Sequence, residues 1–139
     1  MEPQFPTDLD TYCTYFRISF FDLVLHCIFC KFPVSIVDLA SFHNKKLSLI
    51  WRDKKPFACC AKCLRLTALF EKQNYFVCTA KSHFLTGLLG KELSEIVIRC
   101  EHCFSILDYL EKLYHLYNDK DFILVRGNWR GICRNCVQP

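Results

Sequence analysis

The apolar positions of this chain change their spacing along its length, and the changes recur. Ser35-Ile36-Val37-Asp38 and Asp108-Tyr109-Leu110-Glu111 each place an acid three residues after a short polar residue, ahead of apolar positions at helical spacing. They predict short helices from Ile36 to Phe42 and from Tyr109 to Tyr117. Leu47-Ser48-Leu49-Ile50-Trp51 and Phe122-Ile123-Leu124-Val125 come next, apolar runs of strand length. Each run ends in a turn signal, Asp53-Lys54-Lys55 or Gly127-Asn128, and a brief return strand is expected after it. Ser19-Phe20-Phe21-Asp22 reads as a further capping box. Ala61 to about Thr79 is rich in helix formers. Leu64, Ala68, Glu71 and Tyr75 fall on one side of it, and Leu66, Leu69, Phe70 and Phe76 fall on others. That distribution predicts a bridging helix touched from more than one side.

Cysteine explains the recurrence. Subtracting Cys27 from Cys100, Cys30 from Cys103, Cys60 from Cys133 and Cys63 from Cys136 gives 73 each time. Each half therefore reads Cys-x2-Cys, 29 residues, Cys-x2-Cys, and the two helix signals and apolar runs keep the same offset. A unit of 37 residues from first to last cysteine is too short to be held by a core alone. Four thiolates closing on Zn2+ supply the missing stability and leave no position open for substrate. Iron–sulfur clusters are the alternative that thiolate ligands also allow. The expected fold is thus α+β: two homologous four-cysteine zinc cassettes, each with short helices and a small antiparallel sheet, joined by a linker helix. Its metal ligands are Cys27, Cys30, Cys60 and Cys63 for one structural Zn2+, and Cys100, Cys103, Cys133 and Cys136 for a second. Cys59 tolerates the same role chemically, but the offset selects Cys60. Two self-contained copies are simpler than a cross-brace with interleaved ligands. The implied organisation is a flexible arm over 1–7, a first zinc domain over 8–63, a linker helix and connection over 64–90, a second zinc domain over 91–136 and a tail over 137–139.

Composition narrows the function. Of 139 residues, 52% are apolar and 23% charged, which excludes extended disorder. Eleven cysteines make an odd set for a disulfide framework. The opening segment lacks the basic start and apolar stretch of a secretory leader, and no run is long enough to span a membrane, so reduced thiols in cytoplasm or nucleus are expected. The formal charge is +4. Eight zinc-bound thiolates and two Zn2+ bring the loaded protein near neutrality, which weakens a nucleic-acid reading. No phosphate loop, HExxH or nucleophile elbow is present, so a non-enzyme is expected. Cys13, Cys59 and Cys78 remain as free thiols. Leu85-Thr86-Gly87-Leu88-Leu89 spells an LxxLL pattern, read chiefly as linker packing.

Duplicated Cys-x2-Cys-x29-Cys-x2-Cys cassettes with a 36-residue spacer resemble the papillomavirus early protein six family of oncoproteins, over about residues 8–136. Ile50-Trp51-Arg52-Asp53, Ile98-Arg99-Cys100 and Val125-Arg126-Gly127-Asn128-Trp129-Arg130-Gly131 carry the likeness. The resemblance implies a host–virus adaptor that clasps acidic LxxLL helices of host proteins. Through them it recruits a HECT-type ubiquitin ligase or represses Mastermind-like coactivators of Notch signalling, and it opposes apoptosis through Bak. It also implies effects on transcription and host immunity, weak DNA binding, self-association, and residence in host cytoplasm and nucleus. Carried over by position, Leu47, Leu49, Trp51, Cys59 and Leu64 form an apolar groove wall, with Arg99 and Arg126 as cationic contacts. Two departures bear on partners. Asn128 stands where the family string Arg-Gly-Arg-Trp has its second arginine, so one charge contact is missing. The end, Val137-Gln138-Pro139, lacks the residues that PDZ grooves capture, which points away from the high-risk types. The alternative reading is a zinc-dependent transcription regulator that binds nucleic acid.

Overall fold

The computed structural model describes residues 5–137, which divide into two compact units between Cys63 and Leu64. Among the described residues, no helix is long and apolar enough to cross a membrane.

The first unit begins with α1 (Leu9–Phe16), whose N-terminus is capped by the Asp8 carboxylate accepting from the Thr11 N–H at 3.0 Å. Ser19 caps a single 3-10 turn, Phe20–Asp22. β1 (His26–Cys27) then leads into the first cysteine pair. α2 (Ile36–Asn44) starts at Ser35, whose hydroxyl accepts from the Asp38 N–H at 3.2 Å. β2 (Ile50–Arg52) and β3 (Lys55–Ala58) form a hairpin, and β1 adds to β3 in parallel. The core gathers Leu9, Leu25, Val34, Leu39, Phe42, Leu49 and Ala58.

The second unit takes up α3 (Ala61–Tyr75) beyond its first turn, followed by β4 (Phe76–Ala80) and α4 (Ser82–Leu89). After the 3-10 turn Leu93–Glu95 come β5 (Arg99–Cys100), α5 (Tyr109–Tyr117), β6 (Phe122–Val125) and β7 (Asn128–Gly131). The sheet runs β4-β6-β7-β5, with β5 parallel to β7 and the other pairs antiparallel. Its core includes Leu85, Ile98, Leu107 and Phe122, with Trp129 packed against it.

The 73-residue offset extends through the whole described architecture. α1 maps onto α4, one 3-10 turn onto the other, α2 onto α5, and β1 and β3 onto β5 and β7, each with the same bounds once 73 is added. Left-handed backbone recurs in step at Arg17 and Gly90, Lys31 and Phe104, Lys46 and Asp119, Asp53 and Arg126, and Lys54 and Gly127. The last two pairs form the hairpin turns. There the second copy has the residue that adopts positive φ without a Cβ penalty, while the first has Lys54.

Three expectations are refined. Each sheet is mixed rather than purely antiparallel, because the strand carrying the first ligand of each set pairs in parallel with the return strand. The helix expected to reach Thr79 stops at Tyr75. Phe76-Val77-Cys78-Thr79-Ala80 is aromatic and β-branched, and it gains a ladder with β6 instead. One side of α3, with Leu64, Ala68 and Glu71, is buried, whereas Leu66, Leu69 and Phe70 stay exposed. The LxxLL pattern lies on α4, where Leu85 is fully buried in the core. Within the amino-terminal arm, Phe5 stacks on Trp51 at 4.5 Å, Trp51 Nε1 donates to the Pro6 carbonyl at 2.7 Å, and the Leu49 N–H donates to the Thr7 carbonyl at 2.6 Å. Thr7 and Leu49 occupy the positions of Ala80 and Phe122, partners in the β4–β6 ladder, so Phe5–Thr7 takes the place that the outer strand has in the second unit.

Candidate metal centres and cationic surface

The first knuckle of each copy places its two cysteines at the end of a short strand and in a tight turn closed by left-handed backbone. Lys31 and Phe104, both at positive φ, close the first knuckle of each copy, and their N–H groups donate to the carbonyls of Cys27 and Cys100. The return strand and the start of the next segment deliver the second pair. The sulfurs of Cys27, Cys30, Cys60 and Cys63 lie within 4.8 Å of one another, as do those of Cys100, Cys103, Cys133 and Cys136. Cys30 and Cys60 Sγ are 3.9 Å apart, and Cys103 and Cys133 Sγ are 3.7 Å apart. A tetrahedron with Zn–S bonds of about 2.3 Å has edges of about 3.8 Å, so both donor sets fit Zn2+. The two sets share no residue, which excludes a cross-brace. Two structural Zn2+ ions are the cofactors, one per copy, and all eight thiols serve them.

The surroundings favour the thiolate at Cys27 and Cys103, whereas burial raises the thiols of Cys60, Cys63 and Cys136, and the Cys103 side chain raises that of Cys100. Burial pushes the Cys27 thiol up, but N–H groups of Cys30, Cys60 and Phe29 outweigh it and bring the thiol down to about 6. The Cys100 side chain, then hydroxyl and backbone contacts from Ser105, hold Cys103 down to about 4. Cys59 is the opposite case. Its burial, followed by the charge of Cys27, pushes its thiol up to about 12. The sulfur that closes the cluster with Cys27, Cys30 and Cys63 is that of Cys60, so Cys60 is the ligand, as the offset requires. Cys78 is exposed on β4 and Cys13 half-buried on α1.

A second layer of support repeats with the ligands. The Asp38 carboxylate accepts from the Ala61 N–H at 3.1 Å, and Glu111 accepts from the Arg134 N–H at 2.6 Å. Each acid stands at the third position of its helix, and each N–H follows the third cysteine of its set. The helix is thereby tied to the knuckle whose sulfurs it must position. Glu111 also receives the Asp108 N–H at 2.9 Å in a full capping box, and Arg134 bridges Asp108 and Glu111. Both acids were visible in the sequence as capping signals, but their contact with the knuckle was not.

The residues expected to bind peptide fall in both units. In the first, Leu49 and Cys59 are buried, while Leu47 and Trp51 are half-buried. The Trp51 ring is covered by Phe5 and by Tyr12, 6.2 Å away. In the second, Leu64 is buried and Arg99 half-buried, and the Arg126 side chain is 61% exposed. Arg126 lies 5.1 Å over the Tyr75 ring and donates to Glu71. Asn128 turns its amide to the Arg126 carbonyl at 3.2 Å, serving the turn. Spacing did not single out Glu71 or Arg130, which sit beside these residues and make an ion pair of 2.5 Å. Gln138 and Pro139, which bear on the PDZ expectation, lie outside the described residues.

A family model described as Early Protein (E6) matches residues 27–136. The chain is 80% identical to protein E6 of human papillomavirus type 48 over 137 residues, covering 99% of this chain and 96% of that one. It is 52% identical to protein E6 of human papillomavirus 4 over 133 residues, covering 96% and 95% of the two chains. Among solved structures, the C-terminal zinc-binding domain of HPV51 oncoprotein E6 aligns with 30% identity and a TM-score of 0.41, over 42% of this chain and 78% of that one. E6 proteins are adaptors without enzymatic activity, and the chain belongs to the papillomavirus E6 early-protein family.

Proposed function

We propose that the protein is a viral adaptor that binds acidic LxxLL helices of host proteins in host cytoplasm and nucleus. Leucines of the helix bury against apolar side chains around Leu47 and Trp51, and its acidic residues meet Arg99 and Arg126. Through such helices the adaptor redirects a HECT-type ubiquitin ligase or represses Mastermind-like coactivators, with loss of Bak and altered transcription as consequences. Membership of the E6 family carries the reading, and the half-buried Leu47 and open Arg126 side chain are compatible with it. The division of labour is physical: apolar surface supplies affinity, and bidentate arginine selects the acid.

The test is fluorescence anisotropy of a labelled acidic LxxLL peptide titrated with reduced, zinc-loaded protein. Saturable binding that persists as salt rises and disappears with chelator is expected. Leu47→Glu is expected to abolish it while both zinc ions stay bound. Absence of peptide binding, together with DNA affinity that falls steeply with salt, would replace the adaptor reading with the nucleic-acid one.

A further inference from the structure

α5 carries its apolar side outward. The residues it buries against the unit are Lys112 and His115. Leu110, Leu113, Tyr114 and Tyr117 recur at three- and four-residue spacing along the opposite face. Leu110 is 69% and Tyr117 79% exposed, and Leu113 and Tyr114 are half-buried. A surface helix ordinarily turns its apolar stripe to the core and its polar residues to water. The first copy follows that rule. α2 buries Leu39 and Phe42 and has Ala40, Ser41 and Asn44 where α5 has Leu113, Tyr114 and Tyr117. The fold therefore does not require apolar residues on this face, and a contiguous apolar patch marks a contact surface.

Beside the helix, Leu110 and Tyr114 join Ile132 and Val137 around an open apolar cavity of about 200 Å³. Arg134, at its rim, pairs with Asp108 and Glu111 of its own chain. The cavity therefore selects no charged ligand, and two copies can meet there without like-charge repulsion. The stripe is also its own complement. About a two-fold axis between Leu113 and Tyr114, antiparallel α5 helices bring Leu110 of one copy to Tyr117 of the other, and Leu113 to Tyr114. Tyr117 then enters the cavity beside Leu110 of the second copy. With Tyr109 and Leu116 at its edges, the face presents on the order of 600 Å² per copy, taking about 150–250 Å² for a whole aromatic side chain. A pair covers about 1,200 Å², the lower end of specific, stable interfaces.

We propose that the outer face of α5, with the cavity beside it, is a self-association surface on which a second copy of this chain docks by antiparallel pairing of the two α5 helices. Pairing needs no bound peptide, so it stands apart from the adaptor reading above.

The experiment is sedimentation velocity of zinc-loaded full-length protein over a concentration series. Reductant is kept present, which excludes pairs cross-linked through the exposed Cys78. Wild type is expected to pass from one chain to two as concentration rises through the micromolar range. Tyr117→Asn, which copies Asn44, is expected to weaken the pair about tenfold or more, the scale of an aromatic anchor at an interface core. Leu110→Glu should leave the chain single throughout, because it sets a carboxylate at the apolar cavity that the second copy must fill. Val37→Glu, the same change at the matching position of the first copy, should leave the pair intact. Wild type that stays a single chain into the millimolar range would overturn the proposal and leave the face to a foreign helix. A pair that survives both Leu110→Glu and Tyr117→Asn would overturn it as well, as would loss of the pair in Val37→Glu with both zinc ions bound. Zinc is counted in each variant by native mass spectrometry. Should Leu110→Glu lose zinc, Tyr117→Asn alone decides, since that side chain stands mostly in solvent.

Discussion

The two copies share every turn and ligand position but are reinforced differently. The second is fenced by a real outer strand, β4, along β6. Among the described residues, the first has Phe5–Thr7 at the corresponding place, held by a backbone bond to Leu49 and by the Trp51 ring. Where the first buries Leu39 and Phe42, the second buries Lys112 and His115. Lys112 Nζ reaches the carbonyls of Leu93 and Ile96 at 3.1 and 2.5 Å, and His115 Nε2 accepts from the Ile132 N–H at 3.1 Å. A cation over an aromatic ring survives in both copies with its partners exchanged: Lys31 over Phe57, and Arg130 over Phe104. The thiolate frame fixes the backbone, and the positions around it are then free to trade apolar for polar chemistry, as at Lys112 and His115, whose buried nitrogens find partners.

The largest effect that would break the symmetry is loss of a ligand. Cys60→Ser removes a thiolate from a site whose metal binding is worth about 10 kcal/mol or more, and the first copy is expected to unfold. Cys59→Ser, which removes a buried thiol outside the sulfur cluster, should leave it folded. Each copy holds one tryptophan, Trp51 or Trp129, so their fluorescence separates the two outcomes. Equal damage from the two serines would overturn the assignment of Cys60.

A smaller effect distinguishes the two acids behind the knuckles. Asp38→Ala frees one N–H, at a cost of about 1–3 kcal/mol. Glu111→Ala frees the Arg134 and Asp108 N–H groups together and is expected to cost more. Chemical denaturation of the zinc-loaded variants would order them. The reverse order would mean that the capping box, not the knuckle contact, is dispensable.

The smallest difference is the pH dependence that His115 gives the second copy, where the first has Phe42. Burial holds His115 below the usual histidine pKa, because its neutral ring must accept from Ile132 while its other nitrogen faces the Glu111 carbonyl; the charges of Glu101, Lys120 and Glu111 act on it as well. A pKa lowered by folding means the stabilising contribution is complete above about 6.5 and declines as pH falls below it. His115→Phe, which copies Phe42, should lower stability at neutral pH and narrow its gap from wild type as pH falls from 7.5 to 5.5. A gap that stays constant would show that His115 is not the titrating group.

The metal ligands, α2, α5 and both hairpins were legible because cysteine spacing and capping residues are local signals with fixed geometry. β4 was not, since no Gly or Pro separates Phe76–Ala80 from the helix before it, and its aromatic and β-branched residues decide for strand once the ladder with Ile123 and Leu124 is there. α1 and α4 were missed as a matched pair because Asp8 and Lys81, at the same offset, give only one of them a side-chain cap. Glu71 reads as one polar residue on a bridging helix until β7 brings Arg130 to it. Ion pairs between residues 59 positions apart leave no local trace in sequence.

The account stands most directly on each copy closing its own metal site. Native mass spectrometry of wild type, Cys60→Ser and Cys133→Ser would count the zinc. Two ions in wild type and one in each variant are expected, with the remaining ion in the untouched copy. Loss of both ions from either single variant would show that the sites depend on each other and would contradict the account.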